Sequence, residues 1–323
     1  LEDESQHFLL SARARTLSIK RVVRMSEEDA YAAFIAIRYA ENEGAPYCVW
    51  CKCAAVYEIK TRRKLKCKAC HRQFSVTSQT MFASRKLEYR DILYAIAIFT
   101  NGAKGISALQ LSRDMSVQYK TAFVLAHKIR ESLSTLQAAQ RLSGEVEIDG
   151  AYFGGYVKPS TRAKDRRDRR TLVNQTGKRQ CVVIMRERGG KSVPFVMSEL
   201  DGALHAPKVI EPGSILYADE AKHYDNLHAV FDMKRIDHSK SYAEEEISTN
   251  QAESFFSRLR RAEIGTHHHI DGRYLGAYAG EYSWREDNRR LSNGEQFLTI
   301  AAAGLHHPIS RQWKGYWQRG KAA

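Results

Sequence analysis

The chain has 323 residues, a formal net charge of +14 and a pI near 9.5, and 43% of its residues are hydrophobic. That apolar share excludes wholesale disorder, and the lack of any apolar run of about 18 residues excludes a membrane-spanning helix. The basic surplus points to a polyanionic partner such as nucleic acid.

Residues 1–46 read as an N-terminal helical segment. The opening Leu1-Glu2-Asp3-Glu4 lacks the basic-then-apolar layout of a secretory signal. A helix is predicted over 26–43, capped by Ser26, with Glu27, Glu28 and Asp29 suited to the positive end of its dipole. Gly44 and Pro46 end it.

Residues 47–80 hold two CxxC pairs, Cys48/Cys51 and Cys67/Cys70, among short alternating runs that predict hairpin strands. Four thiolates on two tight knuckles can close a tetrahedral Zn²⁺ site, with a structural rather than catalytic role. Cys53 offers a shifted pair with Cys48, and His71 directly follows Cys70, so either could substitute. Only six cysteines are present, which favours a metal and a reducing compartment over a disulfide scaffold. Residues 48–90 carry 11 basic and 2 acidic residues, net +9. Lys60, Arg62, Arg63, Lys64, Lys66, Lys68 and Arg72 are the predicted phosphate contacts on this ribbon.

Residues 81–142 predict three helices, over 88–101, 105–115 and 117–136. The last two resemble a helix-turn-helix. Ile106, Leu109 and Leu111 are placed toward the core, and Ser116 is the predicted cap of a recognition helix over Val117–Leu133. Gln118, Tyr119, Lys120 and Lys128 are its candidate DNA contacts.

The pattern changes over 143–310. EVEIDGAYFGG, QCVVIMRER and SVPFVMSEL predict strands, the last two linked by Gly189-Gly190, and ILYADE predicts another. A helix is predicted from Thr249 to about Glu263. Asp149 and Asp219 fall at strand ends, and Glu253 lies on the helix. Three such carboxylates are hard oxygen ligands that can gather around Mg²⁺ or Mn²⁺ for phosphoryl transfer. Asn250 lies one turn before Glu253 and Arg260 two turns after, so all three share a helix face. Glu145, Glu147 and Asp201 are weaker acidic candidates. The stretch 156–179 carries 9 basic and 2 acidic residues and predicts a basic insertion that clamps DNA, with Lys164, Arg166, Arg167, Arg169 and Arg170 as contacts. His267, His268 and His269 follow the helix as a polar turn; His268 is the candidate phosphate contact. Residues 311–323 form a basic C-terminal tail.

These stretches, in this order, resemble a DDE transposase of bacterial insertion sequences, in the zinc-ribbon group related to Merlin transposons. The resemblance rests on the CxxC pairs, CHRQFSVTSQTMFASRKL, IDGAYFGG, LYADEAKHYDNL, HSKSY, TNQAESFFSRLRRAEIGTHHH and WREDNRR, and spans about residues 30–305. It implies an α/β protein: an RNase H-like catalytic core, a mixed sheet flanked by helices, preceded by a zinc ribbon and a helix-turn-helix-like segment. It further implies catalysis by Asp149, Asp219 and Glu253 with two metal ions, and a base at Arg260. Some members use Asn as the third residue, which leaves Asn250 as an alternative to Glu253; a carboxylate is the better metal ligand. The implied activity is binding of transposon terminal repeats, phosphodiester cleavage and transfer of the 3′-OH ends to target DNA. The implied partners are double-stranded DNA and further copies of the chain, at least a dimer, with no membrane and a cytoplasmic, nucleoid-associated location. Two rivals are an RNase H-like nuclease without strand transfer and a zinc-ribbon DNA-binding regulator with an inactive core.

Overall fold

The computed structural model describes residues 7–154, 179–219, 221–236 and 249–319. In chain order the elements are helices α1 (Ile19–Val23) and α2 (Glu27–Arg38), strands β1 (Val56–Ile59), β2 (Lys64–Cys67) and β3 (Gln73–Phe74), and helices α3 (Tyr89–Asn101), α4 (Ala108–Asp114) and α5 (Tyr119–Ala138). Then follow β4 (Glu145–Phe153), β5 (Gln180–Glu187), β6 (Ser192–Val196), α6 (Glu199–Val209), β7 (Ile215–Asp219), β8 (Asp232–Ile236), α7 (Asn250–Ala262), α8 (Leu275–Asp287), α9 (Asn293–His306) and α10 (Tyr316–Arg319). They form two compact units, one of Leu1–Leu133 with Asn288–Ala323, the other of Ser134–Asp287. No helix among the described residues is long and apolar enough to cross a membrane.

In the first unit, Ser26 caps α2 by accepting from the Asp29 amide at 3.0 Å. Helix α3 has no such cap of its own, because Glu88 makes no capping bond. The Glu27 carboxylate, from α2, supplies it by accepting from the amides of Tyr89 (2.8 Å) and Arg90 (3.0 Å). Phe34 packs edge-on to Tyr89 and Phe82 at 5.0 and 6.3 Å. The ribbon is an antiparallel sheet in the order β1-β2-β3, and Cys48, Leu65, Cys67 and Phe74 form its small core.

Two expectations for this unit are corrected. Leu109 faces outward, 51% exposed, while Ile106 and Leu111 are buried as expected. Ser116 sits in a left-handed turn (φ 54°), and the second helix starts later, at Tyr119. The second unit ends at Asp287, and helix α9 belongs to this first unit. There Asn293 Oδ1 accepts from the Leu17 amide at 2.7 Å. Gly304 lies so close under Phe82 that a Cβ would stand 2.5 Å from the ring.

The second unit is built on a five-stranded sheet in the order β6-β5-β4-β7-β8. β4, β5 and β6 are antiparallel; β7 and β8 run parallel to β4. Alternation along β4 turns Val146 and Ile148 toward α6 and Ala151 and Phe153 toward α7 and α8. Gly189 (φ 74°) makes the β5–β6 turn, as the glycine pair predicts. SVPFVMSEL, read above as one strand, divides: β6 stops at Val196, Ser198 caps α6, and Glu199 opens that helix. A mixed sheet covered by helices on both faces is the RNase H-like α/β core.

Candidate active site and cysteine cluster

Pairing between β4 and β7 covers Glu145–Glu147 against Ile215–Tyr217, while β4 stays paired with β5 as far as Phe153. Asp149 and Asp219 thus lie just past the point where their ladder ends, the usual place for a crevice at the carboxyl ends of parallel strands. Burial, before all else, pushes the Asp149 carboxyl up to about 7. The amide of Gly150 opposes this by donating to Asp149 Oδ1 at 2.7 Å, while the charges of Asp219, Glu253 and Glu199 add to it. The three predicted acids therefore share one electrostatic field, and Glu199 joins them. Among the described residues, none of Asp149, Asp219 and Glu253 has an ion-pair partner. Unneutralised hard oxygen donors of one sign suit a divalent cation.

Glu199 was not a sequence candidate, since the run containing it reads as strand. Burial raises its carboxyl, against His223, with Asp219 adding to the rise. Asp201, a candidate acid, instead serves helix α6: its amide and carboxylate both bond Ser198, at 3.1 and 2.6 Å.

Glu147 also has a structural part. It is 1% exposed, and its Oε2 accepts from the amides of Gln251 and Ala252, both at 2.9 Å. Thr249 makes no capping bond, so this strand carboxylate caps α7, the helix that carries Glu253. Arg188 Nε bonds Glu147 Oε1 at 3.2 Å, reaches Glu145 at 3.1 Å, and lies 3.6 Å over the Tyr217 ring of β7. Arg186 donates to the Gln251 carbonyl at 2.9 Å and pairs with Glu286, which also meets Arg258. The acids in WREDNRR thus serve packing: Asp287 accepts from Ser192 and Gln137. Asn250 is exposed at the start of α7, and Glu253 is exposed one turn on. Arg260 is exposed with its guanidinium 5.6 Å over the Phe153 ring, at the end of β4. His268 is exposed, whereas His267 bonds the Tyr282 hydroxyl at 3.1 Å.

In the first unit, the sulfurs of Cys48, Cys51, Cys67 and Cys70 lie within 4.8 Å of one another, and no other group of metal-binding atoms among the described residues is so gathered. Cys48–Cys70 and Cys51–Cys67 are each 3.6 Å apart. A tetrahedron of thiolates around Zn²⁺ has edges of about 3.8 Å, so the cluster fits that ion. The Cys70 amide donates to Cys67 sulfur at 3.4 Å and is the main reason the Cys67 thiol is drawn down to about 6. Cys53 and His71 stay outside the cluster.

Lys60, Arg62, Lys64, Lys68 and Arg72 are exposed around this ribbon; Lys66 is half-buried, and half-buried Arg63 pairs with Glu28. A cleft of about 720 Å³ is lined by Lys60, Arg62, Arg63, Lys64 and Arg85, among others. Lys120 is exposed and lies 5.3 Å over the Trp317 ring. Lys128, a candidate DNA contact, is half-buried, and its ammonium donates to the Met81 carbonyl at 2.8 Å. Lys164, Arg166, Arg167, Arg169 and Arg170 lie outside the described residues, as does HSKSY.

Residues 141–287 match the family model of the ISXO2-like transposase domain, and residues 25–73 match that of a transposase zinc-ribbon domain. No curated protein matches the chain. With both domains in this order, an RNase H-like core and a gathered Cys₄ cluster, the chain belongs to the DDE transposases of insertion sequences that carry a zinc ribbon.

Proposed function

We propose that the chain binds transposon terminal repeats, cleaves phosphodiester bonds at the ends and joins the freed 3′-OH groups to target DNA. The observation that carries this reading is that Asp149 and Asp219 stand on neighbouring parallel strands just past their paired stretch, with the charges of Asp219 and Glu253 both acting on the buried Asp149 carboxyl. In it, Asp149, Asp219 and Glu253 hold Mg²⁺ or Mn²⁺, with Glu253 rather than Asn250 as third ligand, since its charge is the one Asp149 feels. A divalent cation bound there supplies positive charge to the attacking and leaving oxygens. Arg260, two turns beyond Glu253, faces the scissile region and holds a backbone phosphate. The Cys₄ cluster holds Zn²⁺ and keeps the small ribbon folded. Exposed Lys60, Arg62, Lys64, Lys68 and Arg72, with Lys120 and His268, make phosphate contacts that set register on the DNA. Joining two ends calls for at least two copies of the chain.

End-cleavage and strand-transfer assays on labelled terminal DNA with Mg²⁺ test this. Asp149→Ala and Asp219→Ala are expected to lose at least about a thousandfold in rate, equivalent to about 4 kcal/mol of barrier. Cleavage with no joined product in the wild type means a nuclease; alanine variants that still cut and join mean that the acids are misassigned.

A further inference from the structure

Gly150 follows Asp149 in β4, and it lies against Glu199, the first residue of α6. A Cβ at this position would stand 2.5 Å from Glu199 Cγ and 2.6 Å from its Oε1. The missing side chain thus makes room for the Glu199 carboxylate against the strand, one residue from Asp149. On its other side Glu199 Oε2 stands 3.7 Å from His223 Nε2, in the segment that follows Asp219. A first-turn acid with no duty beyond the α6 dipole has no need of this enclosure, yet the Glu199 side chain is only 26% exposed.

Tyr224 supplies an independent sign. It is 1% exposed, and its hydroxyl has no hydrogen-bond partner among the described residues. The charges of Asp149, Asp219 and Glu199 all act on that hydroxyl, so it lies in their common field. A buried hydroxyl without a partner destabilises the fold, and a ligand oxygen beside the acids relieves it.

We infer that Glu199 is a fourth carboxylate of the catalytic centre, taking a divalent cation together with Asp149, with the Tyr224 hydroxyl bonding an oxygen that accompanies the cation. This rests on the metal-dependent reading above. Gly150 is then a specificity of the site itself: it admits the fourth acid.

Mn²⁺ titration of the full chain, followed by electron paramagnetic resonance, tests it, with melting in EDTA as the check on folding. Glu199→Gln is expected to weaken Mn²⁺ binding at least about tenfold. Gly150→Ala, which displaces the carboxylate without removing it, is expected to match that loss. The double variant should bind no more weakly than either single one, and Tyr224→Phe should show a smaller loss in the same direction. Wild-type affinity in both Glu199→Gln and Gly150→Ala, with loss in Asp149→Asn, overturns the fourth ligand and leaves the metal site standing. A wild type that shows no binding sensitive to Asp149→Asn overturns both. If Glu199→Gln melts early in EDTA, Gly150→Ala decides by the same criterion.

Discussion

Asp149 carries an unusual cost in the metal-free chain. Its carboxyl, near 3.8 when unperturbed, is held at about 7 in the fold, so ionisation is easier in the unfolded chain. Below about pH 4 the group is protonated in both states and costs nothing. Stability is lost as pH rises from there to about 7, and the full penalty applies above it. Asp149→Asn is therefore expected to melt higher than wild type in EDTA at pH 8, on the order of 5 °C, with the gap closing by pH 4. Thermal melts across that range check the sign; a variant that melts lower at pH 8 contradicts it. Lys128 makes the opposite kind of case, a charge committed to packing. Lys128→Ala is expected to cost about 1 kcal/mol of stability by orphaning the Met81 carbonyl, and to leave DNA affinity unchanged at low temperature. Paired melting and binding measurements separate the two roles.

Helices α3 and α7 share a device: neither caps itself, and each borrows a carboxylate from another element, Glu27 and Glu147. For α7 the loan fixes where Glu253 stands, because the bonded amides are those of the two residues before it. Glu147→Ala leaves two amides without their acceptor and removes one of the two carboxylates that Arg188 meets, and is expected to destabilise the second unit by about 2–4 kcal/mol. Faster hydrogen exchange at Gln251 and Ala252, with slower exchange kept in β5, is the local signature to look for. Such borrowing explains what could be read in advance. The Cys₄ cluster was legible because spacing is a local fact; Asp149, by contrast, was read at a strand end, whereas β4 runs on to Phe153 through its pairing with β5, which the local sequence does not mark. Glu147 was legible as sharing the face of Asp149, but its partner lies 104 positions away. Glu199 was hidden by the continuous apolar run before it, where only the Ser198 cap marks the change from strand to helix. Leu109 followed helical spacing, yet that spacing has no means of showing which side of α4 has a neighbour.

Over the whole molecule, the charge of +14 is concentrated rather than uniform. The ribbon region holds net +9, and its exposed bases surround a cleft, while the acids cluster in the other unit. Replacing Lys60, Arg62, Lys64 and Lys68 by Gln is expected to reduce the slope of log affinity against log salt by about 3–4, with little change in any sequence preference. Filter binding on terminal and unrelated DNA at several salt concentrations measures both. An unchanged slope places these four bases off the phosphates. The limits of the units were hard to foresee: α9 has no local mark of which core it joins, and its return to the first unit shows in contacts distant in sequence, among them Gly304 under Phe82, Asn293 at Leu17 and His306 at the Arg38 carbonyl.

That return governs the order in which the protein matures. Synthesis reaches Leu133 with the ribbon already made, then spends roughly 10–30 s on the second unit before Asn288 emerges. During that interval Phe82 has no α9 above it, and the Leu17 amide has no Asn293. The unit begun first is completed last, after the second unit has all its residues. A chain ending at Asp287 therefore keeps the acids of the second unit but leaves Phe82 and the Leu17 amide uncovered, and it is expected to be cut faster than the full chain in limited proteolysis, first within the ribbon-bearing unit.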